Sequence, residues 1–191
     1  MLTPPGEIGA ALRGAWRLAR ADARGLSEFN ATIAGFWRSF LAAVLCAPAY
    51  ILILTIDHAQ QPPSDASDGR LIAVHAIAYV IRWTAFPLAM TSVARALGRE
   101  SAYTLFIVAS NWASVLKVML LLPVFALAAS GIAPFGMLPL LATIAVLLYQ
   151  WFIARRALDI TGTQAAAVVG LDLMIDLAVT TAVRALLDVG A

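Results

Sequence analysis

Residues 103–130 read YTLFIVASNWASVLKVMLLLPVFALAAS. The run is longer than the roughly 20 residues needed to cross a bilayer, and its one charge is Lys117. A soluble core helix of this length would show a polar face. This one shows only Ser110, Asn111, Ser114 and Lys117 on a single stripe. The segment therefore reads as a transmembrane helix, and that reading organises the rest of the chain. The composition agrees. The 191 residues are 62% hydrophobic and 13% charged, with a mean hydropathy of +0.86. A water-soluble domain carries about 25% charged residues, so the natural solvent here is lipid.

Working outward, four more apolar stretches are expected to span: 39–56, 71–96, 135–154 and 163–187. Punctuation separates them: DHAQQPPSDASDGR at 57–70, RALGRES at 95–101, SGIAPFG at 130–136 and ARRALDITG at 154–162. The fold class expected is all-α, an integral membrane bundle of five helices over 39–191. A basic amphipathic segment over 1–38 precedes it. The N-terminus carries no apolar core of the signal-peptide kind, so the first span is expected to act as its own insertion signal. Pro48, Pro87, Pro123 and Pro139 fall in or near spans and read as kinks.

Arginine and lysine set the orientation. Arg13, Arg17, Arg20, Arg24 and Arg38 precede the first span, and Arg95 with Arg99, then Arg155 with Arg156, occupy alternate links. The intervening links hold only Arg70. By the positive-inside rule the N-terminus is cytoplasmic and the C-terminus outside, in a bacterial cytoplasmic membrane.

Residues 7–26 place Ile8, Leu12, Ala15, Trp16, Ala19, Ala23 and Leu26 on one helical face, with Arg13, Arg17, Arg20 and Arg24 opposite. One amphipathic helix is expected, lying on the anionic inner leaflet. Asp22 sits at the edge of its apolar face. Phe29, Ile33, Phe36, Trp37 and Phe40 continue it as an aromatic belt. Asn30-Ala31-Thr32 matches a glycosylation acceptor, but a cytoplasmic position makes it a chance match.

Four ionisable residues fall near mid-membrane: Arg82, Lys117, Asp172 and Asp176, the last two in VGLDLMIDLAV at 169–179. A lone charge at that depth costs at least about 2.5–3.5 kcal/mol on insertion scales, so they are expected to meet and be buried together. Polar stripes accompany them. His75 and Tyr79 share a face with Arg82, Asn111 and Ser114 with Lys117, and Thr180 with the aspartates. Gly162, Ala166 and Gly170 form a close-packing face. The single cysteine, Cys46, reads as a small buried hydrophobe. His58 and His75 are too isolated for a metal site, and no catalytic set, P-loop or dinucleotide fingerprint occurs. No metal, cofactor or nucleic-acid partner is expected. Lipid is, along with a protein partner or a second copy.

Three segments, FWRSF at 36–40, SNWASV at 110–115 and YQWFIARRAL at 149–158, follow the basic N-terminal segment in an order that resembles small five-span bacterial membrane proteins of the Yip1 type. The resemblance implies five helices, a cytoplasmic N-terminus and a role in membrane organisation through protein partners. It implies no defined activity and no functional residues. Two functions are expected to compete. One is a non-catalytic scaffold or accessory protein with a buried charge network. The other is a small proton- or ion-coupled transporter or channel component that uses the four charges.

Overall fold

The structure is a computed structural model that describes residues 6–59, 67–129 and 137–188. The expected break at 130–136, and most of the one at 57–70, lie outside the described residues. Within them the chain is all-helical. It runs α1 (Glu7–Ala19), a 3-10 turn (Ala23–Glu28), α2 (Ile33–Ser39), α3 (Leu41–Ala59), α4 (Asp68–Ala96), α5 (Glu100–Ala129), α6 (Leu138–Ala157) and α7 (Gly162–Asp188). Five helical segments are long and apolar enough to cross a membrane: 33–56, 68–96, 100–129, 138–157 and 162–188. They coincide with the five expected spans to within a few residues, except that α2 extends the first one towards the N-terminus. Pro139 falls in the first turn of α6 rather than in its body. There a missing N–H costs nothing.

Helix α5 is the hub. It packs against α1, α2, α3, α4 and α6, and α7 closes the ring by packing on both α6 and α4. Between α3 and α4 direct backbone approach is slight. The links at one end are short and well capped. Gly98 takes a left-handed φ of 65° just after α4, a conformation glycine adopts without penalty. Thr161 and Gln164 cap α7 reciprocally: the Thr161 N–H donates to Gln164 Oε1 (3.0 Å) and the Gln164 N–H to Thr161 Oγ1 (3.3 Å). Arg99 and Asp159 join these two links at 3.5 Å. At the opposite end Arg70 donates to the Leu186 carbonyl at 2.6 Å, tying the start of α4 to the end of α7.

Burial is uneven along the bundle. Phe86, Met90, Phe106, Ile107, Trp112, Ile153 and Leu158 are buried and form a dense core towards the end that carries the arginine-rich links. In the other half, side chains such as Ile51, Ile72, Met119, Leu141 and Leu177 are exposed at the protein surface. In a membrane that surface is solvated by lipid, where apolar exposure carries no penalty.

The N-terminal segment departs from the expected single helix over 7–26. Helix α1 stops at Ala19, and the chain reverses at Ala21, φ 59°. The 3-10 turn then folds back on α1, with Gly14 and Gly25 so close that a Cβ on Gly25 would lie 2.5 Å from the Gly14 carbonyl oxygen. Asp22 drives the reversal. It accepts from the Arg24 N–H at 3.1 Å and so caps the new turn. Ala11, Gly14, Ala15 and Leu18 of α1 are buried, Gly14 under the 3-10 turn, as α1 packs on α5 and α6, and the Tyr149 hydroxyl donates to the Ala15 carbonyl at 2.7 Å. The expected arginine face is partly neutralised. Arg17 pairs with Asp22 (3.0 Å) and Glu28 (3.2 Å), Arg24 with Asp22 (2.9 Å) and Arg13 with Glu28 (3.6 Å). Arg20 instead lies over the Trp16 ring, 5.0 Å from its centroid. Asn30 and Thr32 serve as local structure. The Thr32 hydroxyl accepts from the Gly35 N–H at 3.1 Å and donates to Asn30 Oδ1 at 2.7 Å, starting α2.

The Arg24 and Arg17 hydrogen bonds hold the Asp22 carboxyl down, from its ordinary 3.8 to about 2. A carboxyl depressed on folding stabilises fully above its unfolded value and loses that contribution as pH falls through the folded one. The turn is therefore expected to stay closed down to pH 3.8 and to loosen towards pH 2. Pepsin cleavage within 20–28 checks this. Cleavage should rise over that window in the wild type, and should already be elevated and less pH-dependent in Asp22→Asn.

Candidate functional site: a charged cavity at mid-bundle

The four mid-span charges sit on three helices, and two more helices complete the wall. On α4, the Arg82 guanidinium forms an ion pair with the Asp176 carboxylate of α7, and its Nη2 donates to Thr180 Oγ1 at 2.8 Å. Asp176 and Thr180 lie one turn apart, so one α7 face presents both acceptors to one guanidinium. Lys117 on α5 does not reach a carboxylate directly. Its Nζ donates to Gln150 Oε1 at 3.1 Å, and Gln150 Nε2 donates to Asp172 Oδ2 at 2.5 Å. A primary amide suits this relay because one end accepts from the cation while the other donates to the anion. Gln150 is itself buried. The two connections tie α4 to α7 and, through α6, α5 to α7.

The expectation of a buried charge network needs correction. The side chain of Asp176 is 58% exposed and that of Arg82 26%, so the protein does not seal the pair. The reason lies in the packing. α3 and α4 approach through side chains rather than backbone, and a cavity of about 430 Å³ remains between α3, α4, α5, α6 and α7. Arg82, Lys117, Asp172 and Asp176 all stand on its wall.

The expected polar lining divides. Tyr79, Asn111 and Ser114 face the cavity. Asn111 also donates to Ser39 Oγ at 2.8 Å, and Ser39 to the Phe36 carbonyl at 2.6 Å, which pins α2 to α5. Thr180 belongs through its bond to Arg82. His75 does not join this site: it lines an apolar groove between α3 and α4. Four residues short of Tyr79 on a long α4, it sits above the cavity. Gln150, Tyr50, Cys46 and Thr143 are wall residues absent from the expected set. The uncharged polar group of Gln150, interrupting LLYQWF at 147–152, was the available signal.

Two wall residues each hold one polar atom, Arg82 Nε and Ser110 Oγ, that is covered by protein and makes no hydrogen bond. Each such atom costs about 1–3 kcal/mol unless something meets it. The expected small-residue face does not act as one surface. Gly162 packs on Trp151, whose Nε1 donates to the Gly162 carbonyl at 2.8 Å, while Ala166 is exposed and Gly170 faces open space. Among the described residues no three His, Cys, Asp or Glu side chains group as metal ligands would. The site's chemistry is that of hydrogen bonding and charge pairing.

No protein-family model, curated protein or solved structure matches the chain.

Gln150→Leu removes both relay bonds at once and strands Lys117 opposite Asp172. Folded yield and thermal stability in mild detergent are expected to fall, by about 3–6 kcal/mol for two buried bonds to charged groups. Gln150→Glu keeps the acceptor for Lys117 but loses the donor to Asp172, and should fall between the two.

Proposed function

We propose that this is a non-catalytic membrane transport component, in which the mid-bundle cavity receives a proton or a small polar or ionic solute on its way across the bilayer. One observation carries the reading: carboxylates and cations line a cavity that stays open. Intramembrane ionisable groups facing a cavity are characteristic of substrate and proton paths. Dense packing of Phe86, Met90, Phe106 and Trp112 lies on one side of the cavity and sparse packing on the other. That asymmetry suits a path closed at one end.

The positive-inside rule assigns the arginine-rich end to the cytoplasm of a bacterial inner membrane. Exposed Trp16, Ile33 and Trp37 at that end, with Arg155 and Arg156 over the rings of Trp151 and Phe152, support a headgroup belt there. In this orientation α1 rests on the bundle with Trp16 and Arg20 turned to anionic lipid. A second reading, a scaffold of the Yip1-like layout with a protein partner or second copy, draws on the pairing of every mid-span charge, which lets the charges serve helix placement alone.

Substituted-cysteine labelling tests both site and orientation. In a Cys46→Ser background, Ser114→Cys is expected to react with a small cationic methanethiosulfonate in native membranes. Ser67→Cys should react in intact cells and Gly98→Cys only after permeabilisation. A silent Ser114→Cys beside a reactive Ser67→Cys would remove the aqueous path, and Gly98→Cys reacting in intact cells would invert the orientation.

A further inference from the structure

Two voids in the bundle share one wall. The first is the charged cavity. The second is a groove of about 580 Å³ between α3 and α4, lined by apolar side chains such as Ile51, Leu54, Ile72, Ala76 and Val80. Tyr50 and Tyr79 border both. Their rings stack at 4.7 Å between centroids, and the Tyr79 hydroxyl is fixed to the Ala43 carbonyl at 2.6 Å. The partition is therefore one pair of aromatic side chains thick. Tyrosine offers an apolar ring and a polar tip, which suits a boundary between such compartments.

Each compartment specifies part of an occupant. The groove lies within two membrane-spanning segments, so what reaches it from the side is hydrocarbon. The cavity presents the part-exposed Arg82–Asp176 pair, a cation that donates and a carboxylate that accepts, with the Ser114 hydroxyl on the same wall, and these suit hydroxyl or carbonyl oxygens. Its charges are already matched, Arg82 with Asp176 and Lys117 through Gln150 with Asp172. A head with net charge would leave one of them unbalanced. We propose that the α3–α4 seam admits, from the bilayer, a single-chain amphiphile with an uncharged, hydroxyl- or carbonyl-bearing head. Its chain lies in the groove and its head passes the Tyr50–Tyr79 pair to meet Arg82, Asp176 and Ser114. The proposal shares with the function above only that the cavity receives a ligand, and goes beyond it in the class of that ligand.

Photocrosslinking of the full-length protein in phosphatidylcholine nanodiscs tests it, with a monoacylglycerol that carries a diazirine in its chain. Crosslinks are expected in the peptides covering 47–55 and 71–80. Excess unlabelled monoacylglycerol should abolish them, and the matching fatty acid or lysophosphatidylcholine should not. Ala76→Trp, which fills a lipid-exposed position in the groove, should eliminate the saturable crosslink. Ser114→Ala, too small a change to endanger folding, should weaken competition by monoacylglycerol. Crosslinks that no monoacylglycerol excess reduces, or that survive Ala76→Trp, would overturn the proposal, because they would report bulk lipid. Equal or better competition by the fatty acid would overturn the uncharged head. Aqueous labelling at Ser114→Cys is read in the same samples. If it persists while the crosslink is unsaturable, the amphiphile falls and the polar-solute reading stands. A saturable crosslink with Ser114→Cys silent supports the amphiphile and removes aqueous passage.

Discussion

A charge in hydrocarbon must find a partner or leave, and that requirement organises the middle of this protein. The cost of a lone charge there, at least about 2.5–3.5 kcal/mol, is comparable to a large share of a small domain's net stability. Arg82 and Asp176 meet it directly, and Lys117 and Asp172 meet it through Gln150. The consequence is topological as well as energetic. α7 is held against α4 by one connection and against α6, and through it α5, by the other. Between hydrocarbon-facing helices no hydrophobic force chooses neighbours, so polar contacts and close packing must.

The paired charges line an open cavity, while the Phe86, Phe106 and Trp112 layer beside them is buried. Below that layer the N-terminal segment seats α1 on α5 and α6 and fixes α2 through Ser39 and Asn111. Rigidity is concentrated at the arginine-rich end and openness at mid-depth. A binding site for a polar group needs both.

What the sequence discloses follows physical range. The spans are local properties of composition, and all five were legible from residues such as those of 103–130. So were the common depth of Arg82 and Asp176 and the helical faces on which they lie, because 3.6-residue periodicity fixes both. The exposure of Asp176 was not legible, since it depends on how α7 sits against α4 and α6, a property of separate segments. Gln150 was overlooked because an uncharged amide in an apolar run carries little weight until its two neighbours, on other helices, are known. His75 was placed by periodicity on the face of Arg82. One turn of rise beyond Tyr79 was enough to move it from cavity to groove. The break in the N-terminal helix depends on a left-handed alanine, Ala21, which no propensity favours. The only local hint was Asp22, an N-cap residue in the middle of an apparent helix.

Exchange of the Arg82 and Asp176 charges tests the central claim, that these two residues pair across α4 and α7 and hold the bundle around its cavity. Arg82→Asp and Asp176→Arg, singly and together, are to be compared by folded yield and thermal unfolding in lipid nanodiscs. Each single exchange places like charges face to face and should lose most of the folded protein, while the double exchange should recover a clear part of it. A double exchange no better than the worse single one, or single exchanges that unfold like the wild type, would contradict the account.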